Sequence, residues 1–131
     1  GFAKYFLAQT YSFSGQGQQA VQVMRDLTSA NPGSPTHEAL LAYVLARHGS
    51  MAEAKALVAK LEAAWSQQYF PPYALAQAQA GLGDPAAAFR WLDIAWQRRD
   101  PSLVILKVDP VLAHLRDRPQ FAELITRLHL Q

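Results

Sequence analysis

The four histidines are the side chains of this chain best suited to metal or acid–base chemistry. They are His37, His48, His114 and His129. The first two share one face of a predicted helix, but they lie about 16 Å apart at 1.5 Å per residue. One metal ion needs ligands at about 2 Å, so this pair cannot share an ion. His37-Glu38 begins like the zinc-binding HExxH motif, yet Leu41 stands where the second histidine belongs. We therefore expect no metal site, and we expect the other two histidines at the surface.

Three aspartates, each followed by proline, are the next candidates for chemistry. They are Asp84, Asp100 and Asp109. An acidic residue before a first-turn proline is typical of a helix N-terminus, so we interpret all three as helix caps. The chain contains no glycine-rich phosphate loop before a helix, no serine elbow and no cysteine. We therefore predict no catalytic residue and no cofactor, and hence a protein that is not an enzyme.

A period of 34 residues, held at four separate positions, is the strongest signal in the sequence. The matching sets are Gly15, Gly49 and Gly83; Ala20, Ala54 and Ala88; Ala8, Ala42 and Ala76; and Leu7, Leu41 and Leu75. Such a period predicts stacked helix pairs, each of which buries its apolar face against its neighbours. The alanines are expected where helices cross closely, because a larger side chain would push the axes beyond about 8–10 Å.

Apolar spacing and breaker residues give the expected helices. The predicted helices are 2–14 and 18–30, then 35–48 with a partner that ends near residue 68, then 73–82 and 85–98, and last 119–130. Ser34 is expected to cap the third helix. Between the last two helices, Leu103-Val104-Ile105-Leu106 predicts a short apolar helical turn, and Pro110 predicts a break. We interpret this end as a degenerate fourth pair.

The repeated residues resemble the tetratricopeptide repeat family, whose unit carries Leu-small, an aromatic, a turn glycine and alanines at these spacings. The first unit shows Leu7-Ala8, Tyr11, Gly15 and Ala20, and the later units repeat most of this pattern, although Gln79 replaces the usual aromatic. The resemblance implies an all-α, right-handed α-solenoid of three helix-turn-helix pairs with a helical C-terminal cap. The repeats would span about 1–34, 35–68 and 69–102, and the cap 103–131, as one domain.

The C-terminal end, from Arg98-Arg99-Asp100-Pro101 to Pro119-Gln120-Phe121, is similar to the end of repeat domains in bacterial multidomain regulators. This similarity implies the regulatory or assembly module of a larger bacterial protein, such as a transcriptional regulator. Because the sequence opens at Gly1-Phe2 inside a predicted helix, we also predict that the chain is a fragment of a longer protein.

In the tetratricopeptide architecture, the first helix of each pair lines the concave surface. Helical spacing then places an uncharged aromatic strip there, formed by Phe2, Tyr5, Gln9, Tyr43, Tyr73 and Gln77. We predict that this strip binds a protein or peptide partner, or a second copy of the chain, by protein–protein interaction. The alternative is that these aromatics are buried by a preceding repeat or by the C-terminal helix, and the sequence leaves both open.

Two other classes of function stay open as alternatives, an RNA-binding helical repeat and a small enzyme of unknown reaction. The net charge is only +2, although the basic excess lies at the C-terminal end. The three tryptophans could stack on bases, but packing between repeats is the favoured interpretation, so nucleic acid is an unlikely partner. No apolar run reaches the roughly 20 residues of a membrane span. We expect a cytoplasmic protein, with a periplasmic location as the alternative.

Overall fold

The computed structural model describes residues 16–65, 67 and 70–128, and every regular element in these residues is a helix. The α-helices are α1 (Gly17–Ala30), α2 (Pro35–His48), α3 (Met51–Trp65), α4 (Pro72–Gly81), α5 (Pro85–Gln97) and α6 (Pro119–Leu128). Two 3₁₀ helices, Pro101–Ile105 and Pro110–Leu115, lie between α5 and α6. The all-helical prediction is confirmed for these residues. The predicted first helix, 2–14, lies outside them.

Proline at the start and glycine after the end explain most helix boundaries. Pro35, Pro72 and Pro85 each stand in the first turn of their helices, where the missing N–H costs no hydrogen bond. Gly83 follows α4 with a φ of 79°, the left-handed conformation that glycine adopts most readily. Ser34 is the N-cap residue of α2, as predicted, but its hydroxyl lies 2.6 Å from Nδ1 of His37 and accepts no backbone N–H.

The repeated alanines lie in the core, as the period predicts, except that Ala8 lies outside the described residues. Ala20, Ala42, Ala54, Ala76 and Ala88 have no exposed surface. The helices pack in the order α1 on α2, α2 on α3 and α4, and α4 on α3 and α5. The second and third predicted pairs therefore each pack within themselves and against each other, and α1 packs against the second pair.

The helices differ in how much of their surface is buried. In α2, all eight residues from Glu38 to Leu45 are buried, and in α4 all nine from Pro72 to Ala80 are buried. By contrast, α1 buries one face only, with Ala20, Val21, Met24 and Leu27. A helix that is covered on all sides occupies the interior of a domain. Thus α2 and α4 are central helices and do not line an open surface.

The C-terminal segment covers α4. Pro101 and Pro110 each begin a 3₁₀ helix, so the predicted break at Pro110 is confirmed. The second 3₁₀ helix packs against α4, and α6 packs against α5. Val111, Leu112 and Leu115 of that 3₁₀ helix are fully buried, as expected for a segment that closes a core.

Candidate functional site

The predicted concave strip is closed where the structure describes it. Tyr43, Tyr73 and Gln77 are only 1%, 2% and 7% exposed. The prediction that they form an exposed binding surface is therefore wrong, and they are core residues. The other members of the predicted strip, Phe2, Tyr5 and Gln9, lie outside the described residues.

Asp109 is the polar centre of this closed region. Its Oδ2 accepts hydrogen bonds from the Tyr73 hydroxyl at 2.6 Å and from Nε2 of Gln77 at 2.9 Å. Its Oδ1 accepts the backbone N–H of Val111 at 3.0 Å, which caps the second 3₁₀ helix. Asp109 is only 3% exposed, so these donors replace the water that its carboxylate would otherwise bind.

Asp100 forms a second junction at the start of α4. Its Oδ2 accepts the backbone N–H of Tyr73 at 3.1 Å, and its Oδ1 accepts that of Ser102 at 2.9 Å. The first of these donors is one of the N–H groups at the start of α4 that no carbonyl within the helix can satisfy. The hydrogen bonds of Asp100 and Asp109 hold the C-terminal segment against α4. This segment therefore covers Tyr73 and Gln77 of the predicted strip.

Tyr43 is buried for a different reason, the close approach of α2 and α4. A Cβ atom added to Gly81 would lie 2.6 Å from Cδ2 of the Tyr43 ring, so only glycine fits there without movement. The Arg47 guanidinium lies 5.6 Å from the centre of the same ring. Burial raises the pKa of the Tyr43 hydroxyl above its ordinary value, and the Arg47 charge opposes this shift. The hydroxyl therefore stays neutral at physiological pH.

Two of the three tryptophans pack between helices, as the sequence predicts. The rings of Trp65 and Trp91 meet edge to face, with centres 5.3 Å apart. Their indole N–H groups donate to the carbonyl of Phe70 and to Oε2 of Glu62, at 3.1 and 2.7 Å. The two rings therefore join α3 to α5, with Trp91 buried and Trp65 half-buried.

Trp96 is the exception, since it is 40% exposed beside a surface depression of about 250 Å³. The depression, called here the Trp96 depression, is lined by Trp96, Arg99, Asp100, Leu103, Val104 and Leu128. The Arg127 guanidinium lies 5.3 Å from the centre of the Trp96 ring and supports it from one side. The site thus combines an aromatic face, aliphatic walls and the side chain of Arg99.

Sequence reasoning missed this site, although one signal points to it. In the run from Leu103 to Leu106, the first and last residues are buried, whereas Val104 is 73% exposed and Ile105 is 45% exposed. Four consecutive apolar residues on a helical turn point in different directions, so they cannot all face one core. Such a run at a domain end indicates that some of its members are exposed.

Other kinds of site find little support in the described residues. In the part of the chain that the structure describes, no group of three or more His, Asp or Glu side chains could hold a metal ion. Within the same residues, no helix has the length and apolar character needed to cross a bilayer. No protein-family model matches the chain, and no curated protein or solved structure matches it either.

Proposed function

We propose that this domain is a non-enzymatic protein-interaction module of the tetratricopeptide kind, which binds a protein segment in the Trp96 depression. It would serve as the regulatory or assembly part of a larger bacterial regulator. The order of helix contacts supports a repeat stack, because α2 and α4, the first helices of two successive pairs, pack on each other. The 34-residue spacing of Ala42 in α2 and Ala76 in α4 supports it independently.

The single observation that carries the binding role is the concentration of exposed apolar side chains in one short stretch of the chain, which includes two residues of the Trp96 depression. Five large apolar side chains are exposed in the described residues, and four of them lie between positions 96 and 108. They are Trp96, Val104, Ile105 and Val108, and the fifth is Met51. Scattered apolar residues are normal on a protein surface, whereas a cluster marks an interaction site.

The size of the depression favours a protein side chain as its occupant. At about 250 Å³ it is smaller than the roughly 300–1,000 Å³ that small-molecule sites usually enclose. It has the rigid tryptophan and the arginine that are typical of residues dominating protein interfaces. An anchor side chain of a partner would insert against Trp96, while the neighbouring exposed valine and isoleucine add contact area.

The proposal is tested by selecting a random displayed peptide library on the immobilised domain. The selected peptides are then measured against Val104→Glu, which places a charge in the depression, and against Met51→Glu. The latter is a matched control, since it also converts an exposed apolar residue to glutamate but lies at the start of α3. We expect Val104→Glu to weaken binding at least about tenfold, and Met51→Glu to change it little.

Two results would contradict the proposed function. One is a selection that yields no peptide whose binding depends on Val104. The other is binding of a homopolymeric RNA that competes with the selected peptides or replaces them, which would favour the nucleic-acid alternative. Circular dichroism of both variants shows that the comparison is made between folded proteins.

A further inference from the structure

We infer that Arg99 is a specificity-determining residue that selects a carboxylate on the partner segment docked in the Trp96 depression. The inference rests on the proposed function and deepens it by naming the chemistry of the partner. The occupant would be an acidic segment, with an apolar anchor against Trp96 and an Asp or Glu paired with Arg99. Three features of the described residues support this assignment.

The first feature is the backbone of Arg99. Its φ is 56°, the one left-handed conformation of a non-glycine residue in the part of the chain that the structure describes. The left-handed region costs a residue with a Cβ atom about 1–2 kcal/mol. The equivalent turn after α4 uses glycine, Gly83, at a φ of 79°. A strained residue where glycine would fit better points to a role for its side chain.

The second feature is the absence of an internal ion partner. Among residues 16–65, 67 and 70–128, the cations in ion pairs are Arg25, Lys60 and Arg127, and Arg99 is in none of these pairs. The nearest acidic residue along the chain, Asp100, is buried, and both of its oxygens accept backbone N–H groups. Arg99 is exposed, and its planar guanidinium is well suited to bind a carboxylate in two parallel hydrogen bonds.

The third feature is the location of this charge. Arg99 lines the same depression as Trp96 and Val104, so a carboxylate that it binds would sit beside an apolar anchor. Lys107, which is exposed and follows the first 3₁₀ helix, takes part in no ion pair with a described residue. The guanidinium of Arg98 lies 5.3 Å from the centre of the Trp65 ring and is engaged there. Charge complementarity therefore favours an acidic partner.

The test begins with the peptides that the displayed library yields and whose binding depends on Val104. These peptides should be enriched in Asp and Glu. The affinity of one such peptide is measured for the wild-type domain, Arg99→Gly, Arg99→Lys and Arg90→Gln. The last variant removes one exposed positive charge of α5 outside the depression. We expect Arg99→Gly to weaken binding about tenfold and Arg90→Gln less than about twofold, because a paired, charge-assisted contact is lost only in the first. The affinity of Arg99→Lys for the peptide should lie between those of Arg99→Gly and Arg90→Gln.

A second peptide, with its key carboxylate replaced by the amide, completes a double-mutant cycle. We expect Arg99→Gly to leave the affinity of this amide peptide unchanged, since the partner of Arg99 is already absent. We also expect the melting temperature of Arg99→Gly to be equal to or above that of the wild type. This readout separates a binding role from a structural one.

The outcomes separate the inference from the proposed function. If peptides bind through Val104 but Arg99→Gly does not weaken them, the carboxylate assignment is overturned and the interaction role stands. If Arg99→Gly and Arg99→Lys both unfold the domain, Arg99 is a structural residue and the inference is again overturned. If no selected peptide depends on Val104, the proposed function and the inference both fail. Self-association of the wild-type domain that Val104→Glu abolishes would identify a second copy as the occupant and overturn the acidic-peptide assignment.

Discussion

Two turns of this domain have the same local design but different roles. After α4 the chain runs Gly83-Asp84-Pro85, and after α5 it runs Arg99-Asp100-Pro101. In each turn the aspartate N–H donates five residues back, to Gln79 at 3.1 Å or to Ala95 at 2.9 Å. In each, the aspartate carboxylate also caps the next helix.

The difference lies in what each aspartate does beyond its own turn. Asp84 is exposed, and its Oδ1 accepts the N–H of Ala87. Asp100 is buried, and its second oxygen reaches the N–H of Tyr73 in a distant part of the sequence. Asp109, which caps in the same way, reaches the Tyr73 hydroxyl and Gln77. A local cap can therefore also join two parts of the domain when it is buried.

The largest expected effect comes from removing the side chain of Asp109, which links the C-terminal segment to Tyr73 and Gln77 of α4. Asp109→Ala leaves the Tyr73 hydroxyl, the Gln77 amide and the Val111 N–H without their acceptor in the core. We expect the free energy of unfolding to fall by about 3 kcal/mol or more, because each unsatisfied buried donor costs about 1–3 kcal/mol. Asp84→Ala should cost about 1 kcal/mol, the usual value of a lost cap. Urea unfolding of both variants measures the difference, and equal losses would show that burial adds nothing to the cap.

One of the hydrogen bonds to Asp109 can be removed with less disturbance of the core. Tyr73→Phe deletes the hydroxyl that donates to Asp109 but keeps the ring in the core. We expect a loss of about 1.5–3 kcal/mol, the typical range for a hydrogen bond to a charged group. The same urea experiment provides the value. A loss below about 0.5 kcal/mol, a typical surface effect, would mean that Gln77 and Val111 hold Asp109 without Tyr73.

The residue before each aspartate, Gly83 or Arg99, gives a third comparison. Substitutions at these two positions should change the free energy of unfolding in opposite directions. Gly83→Ala introduces a Cβ atom at a φ of 79° and should cost about 1 kcal/mol, although no atom lies within 4 Å of the new carbon. Arg99→Gly relieves the same kind of strain and should raise stability by about 0.5 kcal/mol. Thermal unfolding distinguishes the two cases. If Arg99→Gly lowers the melting temperature as much as Gly83→Ala does, the arginine is a structural part of the turn.

The smallest expected effect concerns pH. Partial burial lowers the pKa of His114, and the Arg47 and Arg118 charges lower it further. The folded state therefore binds this proton more weakly than the unfolded state, so stability falls as the pH drops from 7 to about 5. In His114→Gln this part of the fall should disappear. The melting temperatures of both proteins across this range show the difference, which is small because His114 is largely exposed. If the melting temperatures of both proteins depend on pH in the same way, His114 does not contribute to the pH dependence of stability.

The helices could be predicted because their signals are local. The predicted range 35–48 equals α2, and 85–98 differs from α5 by one residue, since proline begins both helices and Gly49 follows α2. The end predicted near residue 68 is wrong, because α3 ends at Trp65. The Trp65 indole N–H donates to the carbonyl of Phe70, a side-chain contact that the apolar period does not encode.

The candidate binding site could not be predicted in the same way. Tyr43, Tyr73 and Gln77 stand where the tetratricopeptide resemblance implies an exposed concave strip, but long-range contacts decide their burial. The two acidic caps were identified correctly from their prolines, whereas the second oxygen of each binds a partner 27 or more residues away. The Trp96 depression likewise forms from α5, the first 3₁₀ helix and α6 together. Such contacts follow from packing and not from spacing.

The most direct test of the Trp96 depression as the binding site is an NMR titration of the isotope-labelled domain with a selected peptide. The three tryptophan indole N–H signals serve as the probes. Those of Trp65 and Trp91 are hydrogen-bonded inside the domain and act as internal controls. We predict that the Trp96 indole signal and the backbone amides of residues 96–105 move on binding, while the two control signals stay in place. Perturbations concentrated instead at residues 36–46 and 72–80, with the Trp96 signal unchanged, would contradict the account and return the binding site to the predicted concave strip.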